Sequence, residues 1–381
     1  MSRKDMPDTS NSPAPISYVD IGAQFAQERD ELMPIIEDIL KSGMYVGGPW
    51  NEKLEAALAK RCGTKHVVTL NSGTDALILA LAALGIGHGD EVITPPNSFV
   101  ASTAVIAHVG ATPVFADVLP DQNIDPAEIE KKITPKTKAI MPVHLTGRIA
   151  DMGPIREIAQ RHGLAIIEDA AQSIGSLYDG VPSGALGDVG CFSAHPLKNL
   201  NACGDAGFLT TDRDDVAEYA RLYRNHGLVD RNTVTRFGSV SRLDAIQAAI
   251  LHFRLGSMDT VIENRRRNAA LYRELLDPKL AFMPPCRDIE FNTFHTFVIQ
   301  VDGRDALQAH LGEQGIGTAI HYPVPIHLQP AAEYLGHKAG DFPVTERQSQ
   351  RILTLPVHQN MTEADVRRVA DVVNRFLASA V

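Results

Sequence analysis

The chain has 381 residues, with 36 Lys+Arg against 46 Asp+Glu and a formal net charge of -10. Hydrophobic residues make up 44% and charged residues 22%, an ordinary globular mixture that excludes global disorder, and at roughly 100–200 residues per domain the length predicts two domains. No stripe of Lys and Arg is present to neutralise phosphates, so no nucleic-acid partner is expected, and the short run Arg265-Arg266-Arg267 reads as a solvated helix face.

In chain order, residues 1–14 form a polar tail with no apolar segment behind the early charges, which does not fit a signal peptide. A helix-like stretch ends at Ile35–Leu40, and Tyr45–Trp50 is a turn-rich connection. From His66 to Thr211 short β-branched runs alternate with helical patterns. The runs are His66–Leu70, Glu91–Thr94, Pro113–Asp117, Ala139–His144, Leu164–Asp169, Val189–Ser193 and Gly207–Thr210, with helices starting at Thr74, Phe99, Pro126 and Pro154. Such short apolar strands predict an α/β fold with a mainly parallel sheet covered on both faces. The longest apolar stretch, Ala76–Ile86, is well short of the roughly 20 residues a membrane span needs, so no membrane partner is expected.

A helix carrying Leu243, Ile246, Ile250 and Phe253 on one face follows, then a long helical pattern from Met258 to Leu276. After Pro284-Pro285 come a strand at Thr293–Val301, a helix at Arg304–Glu313, a Pro/His-rich loop at His321–Pro330 and a final amphipathic helix at Glu363–Phe376. The expected division is a large domain over 15–255 and a smaller one over 256–381. Cys62, Cys191, Cys203 and Cys286 have no CxxC spacing, so neither a zinc site nor a disulfide framework is implied, and a reducing cytoplasm fits best.

Ligands of parallel sheets bind beyond the carboxyl ends of the strands, and three segments there carry chemistry. At Leu70–Leu77 a strand runs through Asn71-Ser72-Gly73-Thr74 into an apolar helix. The helix N-terminus and Gly73 suit a phosphate; equally, Ser72 or Thr74 simply caps the helix. There is no GxxxxGK or GxGxxG, which argues against a nucleoside triphosphate or nicotinamide site. At Ala165–Ser173 an apolar strand ends on Asp169, whose carboxylate either holds a charged heterocycle nitrogen or caps a following helix. At Cys191–Asn199 a strand leads to Lys198, either a desolvated amine able to form a Schiff base or a surface loop lysine, with Ser193 beside it. A phosphate turn, a strand-end Asp and a strand-end Lys, in that order, are the parts a pyridoxal phosphate site needs.

With these motifs the chain resembles the DegT/DnrJ-type sugar aminotransferases, a branch of the fold-type I pyridoxal phosphate enzymes, from Ile16 to Leu377. The resemblance rests on Tyr45–Pro49, Asn71–Leu77, Gly89–Ile93, Phe99 with Ala101, Gly110–Val114, Ile133–Ile140, Glu168–Gly175, Lys198-Asn199-Leu200 with Gly204-Asp205, Ser241-Arg242-Leu243 and the Gly315–His327 loop. It implies that Lys198 holds pyridoxal 5'-phosphate and shuttles a proton, that Asp169 pairs with the ring nitrogen and that Gln172 contacts the ring hydroxyl. It further implies that Phe99 stacks on the ring, that Gly73, Thr74 and Ser193 hold the phosphate, and that His321, Tyr322 and His327 line the substrate entrance. From the residues alone, Phe99 equally suits a core position and the two histidines a structural role. No HExxH accompanies them, so no metal is expected.

The resemblance also implies a homodimer that aminates a keto sugar, carried on a nucleotide, with an amino acid donor such as glutamate. Lys198 separates the chain from the family's dehydratases, which carry histidine there, and Gly204-Asp205 favours amination at sugar carbon 3. Three positions depart from the family pattern: Val240 where an Asn reaches the partner's phosphate, His195 where an aromatic precedes the lysine, and Arg148 where a Gln is usual. A keto-cyclitol aminotransferase and a non-catalytic regulatory member of the fold are the alternatives.

Overall fold

The computed structural model describes residues 14–379; most of the expected polar tail lies outside them. The chain opens with helices α1 (Ile21–Ser42) and α2 (Pro49–Cys62), then alternates. Strand β1 (His66–Leu70) leads to α3 (Gly73–Ala83), β2 (Glu91–Thr94), α4 (Ala101–His108), β3 (Thr112–Phe115), α5 (Pro126–Glu130), β4 (Thr137–Ile140), α6 (Met152–His162) and β5 (Ala165–Asp169). Two short strands, β6 (Leu177–Tyr178) and β7 (Val181–Pro182), precede β8 (Val189–Ser193) and β9 (Gly207–Thr211). Two boundaries show the local cause plainly. Asp125 accepts from the Ala127 N–H at 2.8 Å ahead of Pro126, a residue suited to a first helical turn, and α6 stops where Gly163 adopts φ 64°.

These strands form a seven-stranded sheet in the order β1-β9-β8-β5-β4-β2-β3. β9 pairs antiparallel with both β1 and β8, and the other pairings are parallel. β9 alone therefore runs against the rest. The carboxyl ends of β1, β5 and β8 meet at one edge, and the first residue of β9, Gly207, lies opposite both Leu70 and Ser193. Helices cover both faces: Leu77 and Leu81 of α3 pack in one cluster with Val68 and Ile167, while Ile155 and Ile158 of α6 pack in another with Ile140 and Ile166.

Helices α7 (Asp214–Tyr223), α8 (Ala245–Leu255) and α9 (Met258–Leu275) lead into the C-terminal part. There β10 (Glu290–Phe291) joins β6 and β7, and β11 (Phe297–Gln300) pairs antiparallel with β12 (Ile352–Leu355). Helices α10 (Arg304–Glu313) and α12 (Glu363–Ser379) pack on that pair, and α11 (Pro343–Arg351) precedes its second strand. The expected strand over Thr293–Val301 is shorter, because Thr293 and Thr296 instead bond the backbone of Gly147 and Thr146.

Helix α9 starts in one core and ends in another. Met258 and Ile262 pack with Leu54 and Phe208, while Ala269 and Tyr272 pack with Phe297 and Val369. Ile16 joins the second group, bridged to Ile316, so the first described residues lie on the C-terminal part. Among the described residues no helix is long and apolar enough to cross a membrane.

Candidate active site

The sheet edge and the C-terminal part enclose a cavity of about 450 Å³ lined by Gly73, Thr74, Phe99, Asp169, Gln172, Ser193, Lys198, His321 and Tyr322 among others. Nine of the ten residues singled out in the sequence meet there.

At the end of β1, Ser72 caps α3: its Oγ accepts from the Asp75 N–H at 3.1 Å and its carbonyl from Ala76 at 3.2 Å. Capping by Ser72 and a free anion cradle are thus compatible, because the Gly73 and Thr74 N–H groups have no acceptor among the described residues. A Cβ on Gly73 would stand 2.8 Å from the Ser193 Cβ, so only glycine admits β8 this closely.

Asp169 ends β5 nine-tenths buried. Its Oδ2 accepts from the Ser102 hydroxyl at 2.7 Å and its Oδ1 from the Ala171 N–H at 3.2 Å, which fixes the carboxylate in one orientation. No helix starts after it, so there is nothing for it to cap. Its neighbour Glu168 points the other way along the strand. It accepts from the Gly184, Leu186 and Gly187 N–H groups and meets His144 Nε2 at 2.9 Å, an anchor under the site.

Lys198 follows β8 in a tight turn, its N–H donating to the His195 carbonyl at 2.8 Å. The side chain reaches the cavity, which excludes the surface-lysine reading. Burial lowers its pKa to about 8, opposed by the nearby charge of Asp169, so a useful fraction of the amine is neutral near neutrality. Gln172 Oε1 accepts from Thr146 N–H at 2.7 Å, leaving its amide nitrogen directed towards the Tyr322 hydroxyl at 3.5 Å.

Phe99 is 57% exposed, which rules out a core role, and its ring lies 6.0 Å from that of Tyr322. His321 bonds Thr354 Oγ1 at 2.9 Å, and burial, with the Lys198 charge, takes its pKa down to about 4, so it is neutral. Burial pushes the Tyr322 hydroxyl up, keeping it protonated.

His327 is the exception. Its side chain is covered, meets Glu346 at 3.1 Å and packs on the ring of Phe342; it is not in the cavity wall. An acid partner and an aromatic neighbour hold it as a structural group of the loop. Of the departures, Arg148 turns to Asp121 at 3.3 Å and Glu290 at 3.7 Å, away from the cavity, while His195 lies on the cavity wall.

Sequence reasoning missed Ser102, Gly207, Tyr18, Arg265, His295 and His358. Ser102 sits one helical turn after Phe99. Gly207 matters by having no side chain: a Cβ there would lie 2.3 Å from the Ser72 carbonyl carbon and 2.4 Å from Gly73 N. The other four line the cavity from the C-terminal side. Arg265, expected on a solvated face, is buried.

An α/β sheet whose strand ends gather a desolvated lysine, an oriented carboxylate and a free helix N-terminus defines a site of the pyridoxal phosphate aminotransferase class. The groups present fit that cofactor, since Gly73 and Thr74 offer two unpartnered N–H groups for its phosphate and Asp169 a carboxylate for its ring nitrogen.

The profile of the DegT/DnrJ/EryC1/StrS aminotransferase family matches residues 26–374, and the chain belongs to that family. It is 42% identical over 373 residues, 97% of this chain and 99% of the relative, to the UDP-N-acetyl-3-dehydro-alpha-D-glucosamine 3-aminotransferase of Acidithiobacillus ferrooxidans. It is 41% identical over 365 residues, 95% and 98%, to a pleiotropic regulatory protein of Geobacillus stearothermophilus. Among solved structures, DesV of S. venezuelae, determined with a ketimine intermediate, superposes with a TM-score of 0.93 at 40% identity, covering 96% of this chain and 99% of that one.

Proposed function

We propose that the protein transfers an amino group from an amino acid such as glutamate to carbon 3 of a nucleotide-linked keto sugar. What supports this most is the convergence of Lys198, Asp169 and the Gly73-Thr74 turn on one cavity, together with relatives described as acting on 3-dehydro or 3-amino nucleotide sugars. When bound, pyridoxal phosphate supplies the electron sink that lets an amino acid give up its α-proton and its nitrogen.

The remaining work falls to the chain. Lys198 would hold the cofactor, and its Nζ, as a free amine, would take the proton from the donor's α-carbon and return it to the carbon on the other side of the donor nitrogen. Asp169, aligned by Ser102 and Ala171, keeps a proton on the ring nitrogen. Gly73, Thr74 and Ser193 would bind the phosphate, Gln172 would reach the ring hydroxyl, and Phe99 would cover the ring. His321 and Tyr322, both uncharged, border the sugar.

The large domain would span 15–255 and the smaller one 256–381, in a cytoplasmic homodimer whose partner-facing surface includes the segment around Asn225 and Val240. A regulatory role has the Geobacillus relative in its favour, but a purely binding protein has no need of a lowered lysine pKa beside an oriented carboxylate. A keto-cyclitol acceptor would use the same cofactor groups.

The test is to offer the loaded protein glutamate with 3-keto and 4-keto nucleotide sugars and to locate the new amine by NMR. Amination at carbon 3 is expected; amination at carbon 4 alone overturns the positional assignment, and no product from either overturns the sugar assignment.

A further inference from the structure

Four arginines of the described chain are buried: Arg148, Arg254, Arg265 and Arg304. Three have an acid partner, Arg148 with Asp121 and Glu290, Arg254 with Glu28, and Arg304 with Asp305. Arg265 has none among the described residues. Its Nη1 donates to the carbonyls of Phe294 at 3.3 Å and His295 at 3.0 Å, its Nη2 to Gln359 Oε1 at 3.1 Å, and its Nε has no partner. Neutral acceptors leave the charge itself unbalanced, and a buried guanidinium without a counter-ion is costly.

Arg265 also lines the cavity. Among the described residues lining the cavity it is, with Lys198, the only Lys or Arg, and burial holds the nearby His295, His321 and His358 below their ordinary pKa and hence neutral. Its charge is felt by the Tyr18 hydroxyl, which keeps its proton and is available as a second donor. The geometry points to Arg265, assisted by Tyr18, as the site that binds a carboxylate of the amino donor.

A donor carboxylate fits better than the diphosphate of a sugar nucleotide. His295, Lys198 and Arg265 line the same cavity, and the charges of both cations act on His295, so the two lie within Coulombic reach of one residue. An anion at Arg265 is therefore near the reacting amine, as the carboxylate of an α-amino acid is, whereas a diphosphate is separated from its keto carbon by the sugar. Arginine's planar fork also matches a carboxylate, and the assignment gives the buried charge its missing partner during each donor half-reaction.

The assignment rests on the transamination reading above. The experiment compares Arg265→Met, Arg265→Lys and Tyr18→Phe with the parent, all loaded with cofactor. Stopped-flow absorbance gives the donor half-reaction with L-glutamate and, separately, the sugar half-reaction of the amine-loaded form. Calorimetry gives the Kd of glutarate, which has the carboxylates but no amine to react.

The expected result for Arg265→Met is a rise of at least 30-fold in the Kd of glutamate and at least tenfold for glutarate, with the sugar KM within threefold of the parent. Arg265→Lys should recover part of that loss and Tyr18→Phe should lose several-fold. Should the Met variant not fold, the Lys variant decides by the same split between donor and sugar. Equal losses in both half-reactions, a loss confined to the sugar step, or unchanged glutarate binding overturns the proposal alone. A parent protein inert to every amino acid overturns the transamination reading and this proposal with it.

Discussion

Replacing Gly207 by alanine should loosen the cofactor by displacing the phosphate turn, without removing any group that bonds to it. The added Cβ would stand 2.3 Å from the Ser72 carbonyl carbon, 2.4 Å from Gly73 N and 2.4 Å from the Ser72 oxygen. Non-bonded carbon atoms settle at about 3.5 Å, so the turn has to retreat by about 1 Å. Its atoms are backbone and cannot rotate aside. β9 cannot yield instead, because Gly207 is paired with Leu70 on one side and Ser193 on the other. A misplacement of about 1 Å in a positioning group costs about 10²-fold, and overpacking itself costs about 1–3 kcal/mol of stability. Absorbance titration of cofactor-free protein with pyridoxal phosphate reads the first effect and thermal melting the second. The Kd is expected to rise on the order of 10- to 100-fold. A variant that melts lower yet binds pyridoxal phosphate with the parent's Kd would refute the placement of the phosphate at the Ser72–Thr74 turn.

Lys198→Met should remove both turnover and the borohydride-sensitive visible band. Its effect on stability has a defined sign: the folded pKa of about 8 lies below the ordinary 10.5, so the cost of burying the ammonium is present in full below pH 8, shrinks between 8 and 10.5, and is absent above. The cofactor-free variant should therefore be more stable than the parent by on the order of 3 kcal/mol at pH 7, and an advantage that persists unchanged at pH 11 would contradict the argument. Asp169→Asn should lower turnover on the order of 10²–10³-fold, while Ser102→Ala, which removes only the 2.7 Å bond to the same carboxylate, should cost about tenfold; single-turnover rates in the reverse order would sink the assigned roles. Sedimentation should find a dimer, and a fully active monomer would remove that part of the reading.

What the sequence disclosed, and what it hid, follows from where the information lies. β1, β2 and β8 start and stop where β-branched runs meet turn residues, so His66–Leu70, Glu91–Thr94 and Val189–Ser193 were legible to the residue. β12 was not, because its four residues follow the polar helix Pro343–Arg351 without a turn signal. Lys198 and Asp169 announce themselves by residue type at strand ends. Gly207 does not, since its contribution is the absence of an atom, and Ser102 contributes one hydroxyl from an otherwise unremarked helix. Arg265 misled for a different reason: three consecutive arginines look solvated until the segments before β11 and after β12 fold over one of them. Charge in a sequence says nothing of what later closes on it.

Helix α9 runs 18 residues without interruption from one core into the other. At about 1.5 Å per residue it is a strut of about 27 Å, with Arg265 near its midpoint. A hinge between the two parts cannot be placed at this chain crossing without breaking hydrogen bonds of the helix itself. Any opening of the cavity would instead come from the pieces laid over it, the segment bearing Tyr18 and the loop bearing His321 and Tyr322, with Arg265 held in place on the strut.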